Sequence, residues 1–279
     1  MGRRTFWPLI RSQVYLSLIR PCYWYIRTTK MSITRDTVLQ VIAVLFPPAC
    51  LACGRIEGIE SLPMCLCSQC HLELHILDKS DSQSGRAPES ALDGLHSRWS
   101  YKPPFEAVIH GLKFGKLEFL GQDLADGLHQ LVLDEAPETE IVVPIPLYWH
   151  RRMTRGYNQA RAIAAPLARR LGIPMIHALR RRRPTRPQAR LKRGEREINL
   201  RLAFAPVRHR SAKIAGRRLL LVDDVVTTGA TLEAAASCLR NHGAHSVWAV
   251  TAGRTPGPNG YPHGERCHGE DQRPLTRFF

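Results

Sequence analysis

Four apolar residues, Leu219 to Val222, run directly into Asp223 and Asp224. A short apolar run of this kind, bounded by polar residues, predicts a strand buried on both faces over 218–223. Similar short runs predict strands at 141–145 (IVVPI), 175–179 and 246–251. Between them, 159–171 and 231–241 predict helices, the first closed by Gly172 with Pro174 beyond it. Apolar residues at helical spacing in 107–133 (Val108, Ile109 and Leu112, then Leu117, Leu120, Leu124, Leu128 and Leu131) predict two helices broken near Gly115. Strand, helix and strand in succession predict βαβ units, hence an α/β domain with a parallel sheet flanked by helices.

The same pattern predicts the boundaries. The main domain spans 99–254, with a polar, Ser-rich linker before it at 77–98 and a tail rich in Pro, Gly and charge at 255–279 that predicts disorder. Residues 180–199 hold few large apolar residues and much charge, which predicts a mobile loop. Residues 31–49 contain one short helix, whose apolar stretch stops at Pro47 and Pro48, too short to span a bilayer. Residues 1–30 carry Arg3, Arg4, Arg11, Arg20, Arg27 and Lys30 with no acid, and no fold is expected there. They read either as a transit peptide or as a start placed too early, with Met31 the favoured true start.

Charge sharpens the picture. The chain of 279 residues carries +16, but 149–218 alone holds 21 Lys and Arg against Glu195 and Glu197, a net of +19. One region is therefore built for an anionic ligand, nucleic acid or both, although part of such charge is ordinarily a solvated face. Five of the eight cysteines lie between Cys50 and Cys70. A cluster of this kind is a metal signature rather than a disulfide framework, and the chain reads as cytoplasmic with reduced thiols.

Within the cluster, Cys50-x2-Cys53 is followed by 13 residues and then Cys67-x2-Cys70. Two such pairs on short turns give a tetrahedral thiolate site, the zinc-ribbon arrangement over 50–76, with Gly54 suited to the first turn. Cys65, His71 and His75 lie close enough to compete as ligands. Four thiolates leave no open position, so a Zn2+ here is structural, and a module this small depends on it to fold.

Asp223 and Asp224 stand at the carboxyl end of a strand, where open α/β sheets bind ligands. After them the chain turns through Thr227, Thr228, Gly229, Ala230 and Thr231 into a helix. Gly229 permits a tight bend, the turn aims several N–H groups at one point, and the threonines add hydroxyl donors, which together suit a phosphate. Carboxylates aimed at that phosphate would repel it, so they belong beside it, accepting hydrogen bonds from vicinal hydroxyls. A phosphate at one end and a cis-diol next to it describe a ribose 5-phosphate. A Walker-B strand end would look similar, but the chain lacks its GK[ST] loop.

The stretch VDDVVTTGAT (222–231) resembles the phosphoribosyl pyrophosphate (PRPP) motif of type I phosphoribosyltransferases. That resemblance implies that Asp223 and Asp224, the candidate catalytic pair, hold the ribose hydroxyls and that 227–231 cradle the 5-phosphate. It also implies that Arg151, Arg152 and Arg155, following the strand in VVPIPLYWHRRMTRGYNQA (142–160), receive the pyrophosphate, for which a guanidinium fork is suited. Adding HGLKFGK (110–116) and the series Thr185, Gln188, Leu191, Arg196, Asn199 and Phe204, the chain resembles the ComF family of competence-associated proteins over roughly 47–254. The resemblance implies a type I phosphoribosyltransferase-like sheet behind a zinc ribbon on Cys50, Cys53, Cys67 and Cys70, with PRPP and Mg2+ as ligands. No general base is evident; Lys113 or the 180–199 loop is placed to close over the site. A glutamine amidotransferase half is not expected, since Cys22 is not placed as its nucleophile. The competing expectation is an accessory factor of DNA uptake in natural transformation. It would bind single-stranded DNA and recombination partners through the basic region, with Tyr148, Trp149 and Tyr157 as stacking groups. A PRPP sensor without turnover is a third.

Overall fold

A computed structural model describes residues 49–56, 63–78, 90–136, 138–148, 153–182 and 203–256. The expected extension, first helix, tail, most of the 180–199 loop, and Thr185 through Asn199 lie outside the described residues.

A four-stranded, all-parallel sheet forms the centre, in the order β1 (Gly94–Ser100), β6 (Ser246–Arg254), β5 (Arg218–Val226), β2 (Ile141–Pro144). A separate antiparallel pair joins β3 (Leu179–Arg181) to β4 (Phe204–Pro206). The helices are α1 (Ser68–Leu72), α2 (Phe105–Phe114), α3 (Leu120–Glu135), α4 (Gln159–Leu171), α5 (Ser211–Ile214) and α6 (Ala230–Arg240).

Alternation along the central strands divides the core. Leu220 and Val222 of β5, Val142 of β2 and Val250 and Ala252 of β6 face α2, α3 and α4. Their neighbours Leu219 and Leu221, Ile141 and Val143, and Val247 and Ala249 face α6 and the β3–β4 pair. Both faces are covered, which is why these strands read as continuous apolar runs.

Helix α4 holds Pro166 in its interior. Proline has no N–H to return to the carbonyl four residues back, that of Ala162. α3 crosses at that carbonyl: a side-chain carbon on Gly121 would lie 2.3 Å from Ala162 O. Glycine therefore permits the close approach of α3 to α4.

Three elements differ from the sequence expectations. β5 continues through Val226, because the β-branched Val225 and Val226 keep pairing with Gly253 and Arg254. The expected 175–179 strand is a single bridge, Met175 to Val142, and the strand proper begins only at Leu179, its last expected residue, and runs on through Arg181 into the expected loop. β1 begins at Gly94, within the expected linker, where it gains parallel pairing with β6. Residues at the linker's other end are also held: Leu77 N–H donates to Arg98 O at 2.9 Å and Ile76 bridges Trp99. Among the described residues no helix is long and apolar enough to cross a membrane.

Candidate functional site

The carboxyl edge of β5 carries the acid pair. Successive strand residues point to opposite faces, so Asp223 lies on the α6 side and Asp224 on the α2 side. The Asp224 N–H donates to Asp223 Oδ1 at 2.9 Å, and the Val225 N–H donates to Asp224 Oδ1 at 2.7 Å. Burial, and then the charge of Asp224, push the Asp223 carboxyl up to about 7, with Lys113 and Arg181 opposing. A carboxyl raised in this way at the carboxyl edge of a sheet is a candidate functional group.

After Val226, Thr227 and Thr228 are exposed and Gly229 adopts φ 77°, a left-handed turn that favours glycine. Gly229 caps α6, and Thr228 Oγ1 accepts from the Ala230 N–H at 3.5 Å. The first-turn N–H groups have no carbonyl within the helix to bond. Thr227, Thr228, Gly229, Ala230 and Thr231 thus form one continuous rim beside Asp223 and Asp224.

The last turn of α2 builds the facing wall. Lys113 Nζ lies 3.1 Å from Asp224 Oδ2, with both side chains largely buried. The next residue, Phe114, has the guanidinium of Arg155 5.1 Å above its ring and the His110 ring 4.7 Å away. The RGYNQA stretch explains how Arg155 arrives there. Gly156 turns the chain at φ 83°, and the Tyr157 hydroxyl donates to Leu112 O of α2. Asn158 donates to Ile145 O at 2.9 Å and caps α4 by accepting from the Ala160 N–H at 3.1 Å. Arg155 Nη1 also donates to Gln159 Oε1 at 3.3 Å. Of the three expected pyrophosphate arginines, Arg155 is placed on this wall; Arg151 and Arg152 lie outside the described residues, as does Trp149.

Two groups near the acids were not singled out from the sequence. Tyr101 senses them: burial, then Glu106, then Asp224 raise its pKa. Arg181 adds positive potential at Asp223 and lies over the Phe204 ring at 5.5 Å. The crowding of arginines around 180–183 was visible, but no spacing rule distinguishes the one that reaches the acid.

The cysteine cluster is a separate centre. The sulfurs of Cys50, Cys53, Cys67 and Cys70 all lie within 4.8 Å of one another. Cys65, His71 and His75 are not part of this group. Tight turns set the geometry: Gly54 has φ 78°, its N–H donates to Cys50 O at 2.9 Å, and the Cys67 N–H donates to Cys50 Sγ at 3.3 Å. Burial and the Cys50 charge raise the Cys70 thiol, while the Cys70 backbone N–H and the neighbouring thiols bring Cys67 down to about 7 against its burial. A cation among the four would remove that conflict by ionising them together, so the donor set fits a thiolate-bound metal.

An acid pair and a glycine-bent turn at the carboxyl edge of a parallel sheet define a phosphoribosyltransferase-type α/β domain. The sequence agrees, since residues 158–258 match the phosphoribosyl transferase domain family. The chain is 32% identical to competence protein F of Haemophilus influenzae over 213 residues, 72% of this chain and 89% of that protein. It is 34% identical to the DNA utilization protein YhgH of Escherichia coli over 71% of this chain and 86% of that one. With competence protein ComFC of Bacillus subtilis it shares 37% over 72% of this chain and 76% of that one. The chain belongs to this competence protein F family. Among solved structures, a glutamine PRPP amidotransferase from B. subtilis complexed with ADP and GMP aligns with TM-score 0.36 and 21% identity, over 54% of this chain and 31% of that one.

Proposed function

We propose that the protein binds PRPP at the carboxyl edge of its sheet. The observation that carries this reading is the continuity of Asp223 and Asp224 with the Gly229 turn, faced by Lys113 and Arg155. The acids accept the ribose hydroxyls, the rim 227–231 holds the 5-phosphate, and Arg155, with Arg151 and Arg152, faces the pyrophosphate. Mg2+, bound with the diphosphate, would supply neutralisation of its charge. Transfer itself needs little covalent help: positioning and charge stabilisation at the sugar C1 support attack by an acceptor nucleophile. The four thiolates hold a structural Zn2+. The protein works in the cytoplasm.

Thermal unfolding tests the reading. PRPP with Mg2+ at about 100 times its dissociation constant stabilises the fold by roughly 2.7 kcal/mol. Ribose 5-phosphate gives a smaller shift, and inorganic phosphate none at equal concentration. Equal shifts for all three would reduce the site to an unspecific anion rim.

A second reading is favoured by the relatives' names, competence and DNA utilization proteins, together with the net charge of +19 over 149–218. Here the protein is an accessory factor in DNA uptake, binding single-stranded DNA through its basic region, and PRPP regulates that role. DNA affinity that falls steeply with salt and changes when PRPP is added supports it. Multiple turnover of PRPP with a defined acceptor supports the transferase.

A further inference from the structure

Lys113 is paired with Asp224 of the acid pair, and its position is set by the fold. It sits in the last turn of α2, where positive charge is favoured by the helix dipole. Its Nζ reaches Asp224 Oδ2 at 3.1 Å, the side chains being 20% and 12% exposed. The other Asp224 oxygen accepts from the Val225 N–H at 2.7 Å. Both oxygens of this carboxylate are therefore engaged, one of them by an ammonium that is only partly solvated.

A ribose diol that approaches Asp224 competes for that same oxygen. The chemistry of the ligand settles what becomes of the ammonium. On a ribose 1-diphosphate the 2-hydroxyl is on the carbon next to C1, so the diphosphate oxygen at C1 lies beside the hydroxyls the carboxylate accepts. An ammonium already in contact with the carboxylate is within a small side-chain movement of that oxygen. It carries three donors, of which the ion pair occupies one direction.

We infer that Lys113 is a diphosphate-binding residue that exchanges partners on ligand entry, leaving Asp224 to the ribose hydroxyls and pairing with the diphosphate at C1. This rests on the PRPP reading. The exchange makes the site selective for the activated sugar. Ribose 5-phosphate would have to displace the ammonium and offer it nothing in return, whereas PRPP supplies the replacement anion. Lys113 thereby ties recognition of the leaving group to release of the ribose-binding acid.

The test compares binding of two probes, PRPP with Mg2+ and ribose 5-phosphate, to the full chain and to Lys113→Met by calorimetry. The expected result is a split of opposite sign. Loss of a charge-assisted hydrogen bond weakens PRPP on the order of 10- to 100-fold. Ribose 5-phosphate binds as tightly as to the wild type or more tightly, because Asp224 no longer has a competing partner. Lys113→Arg, which keeps the charge, restores most of the PRPP affinity. Equal weakening of both probes, or no change in either, overturns the inference while leaving PRPP binding by the wild type intact. Failure of the wild type to bind PRPP removes the underlying reading as well. Helix α2 tolerates methionine, and a far-UV spectrum with an unchanged thermal midpoint separates lost contact from lost fold.

Discussion

Asp223 holds its proton in the folded protein until about 7, where an ordinary aspartate releases it near 3.8. Ionising this residue therefore opposes folding. The contribution of Asp223 to stability falls as pH rises between those two values and is constant outside them. Asp223→Asn removes the charge and keeps an oxygen that can accept from the Asp224 N–H. The variant should be more stable than the wild type at about pH 8, by roughly 1–3 kcal/mol, and the difference should vanish near about pH 4. Urea unfolding across that range measures it. A variant less stable at high pH would show that the carboxylate is held by contacts that favour its charge. On the proposed PRPP reading the same substitution removes an acceptor for the ribose hydroxyls, so the gain in stability should accompany weaker PRPP binding.

At the scale of elements, the close approach of α3 to α4 depends on Gly121. A side-chain carbon there meets the Ala162 backbone at 2.3 Å and 2.5 Å, and neither neighbour is a flexible tip. Gly121→Val should destabilise by roughly 3 kcal/mol, read as a lower denaturation midpoint. An unchanged midpoint would mean that the two helices separate freely. These helices were legible in the chain, including the break near Gly115 and the Gly172 stop. So were the buried strands β2, β5 and β6 and the two CxxC pairs, because each is announced by local spacing, whereas β1 was taken for linker. What was not legible needed contact between distant segments. Nothing in HGLKFGK says that Lys113 reaches Asp224, and no period reveals that Tyr157 ties the arginine turn to Leu112 of α2. The length of β5 was underestimated because a pair of carboxylates looks like a strand end, whereas the valines behind them still pair with β6.

For the whole molecule, the cysteine segment is part of the main core. Leu51, Met64 and Leu66 belong to the same buried cluster as Leu112, Leu117 and Leu120. The Met64 N–H donates to the buried Asp123 of α3 at 2.7 Å. Leu51, between two of the cysteines, would lie 3.3 Å from a side-chain carbon on Gly111, two residues before Lys113. The segment that looked like a module of its own lacks a core and borrows that of the sheet domain. Stripping the metal with a chelator should therefore lower the single thermal midpoint of the chain and speed amide exchange in α2 as well as in 63–72. Exchange that quickens only in the cysteine segment would contradict this coupling.

The measurement that bears most directly on the site is calorimetric titration of the metal-loaded protein with PRPP and Mg2+, beside the Asp223→Asn/Asp224→Asn double variant. The account predicts one site per chain in the wild type and an affinity at least about 100-fold weaker in the double variant, the loss of two charge-assisted acceptors. Undiminished binding by the double variant, or none by the wild type, would contradict it.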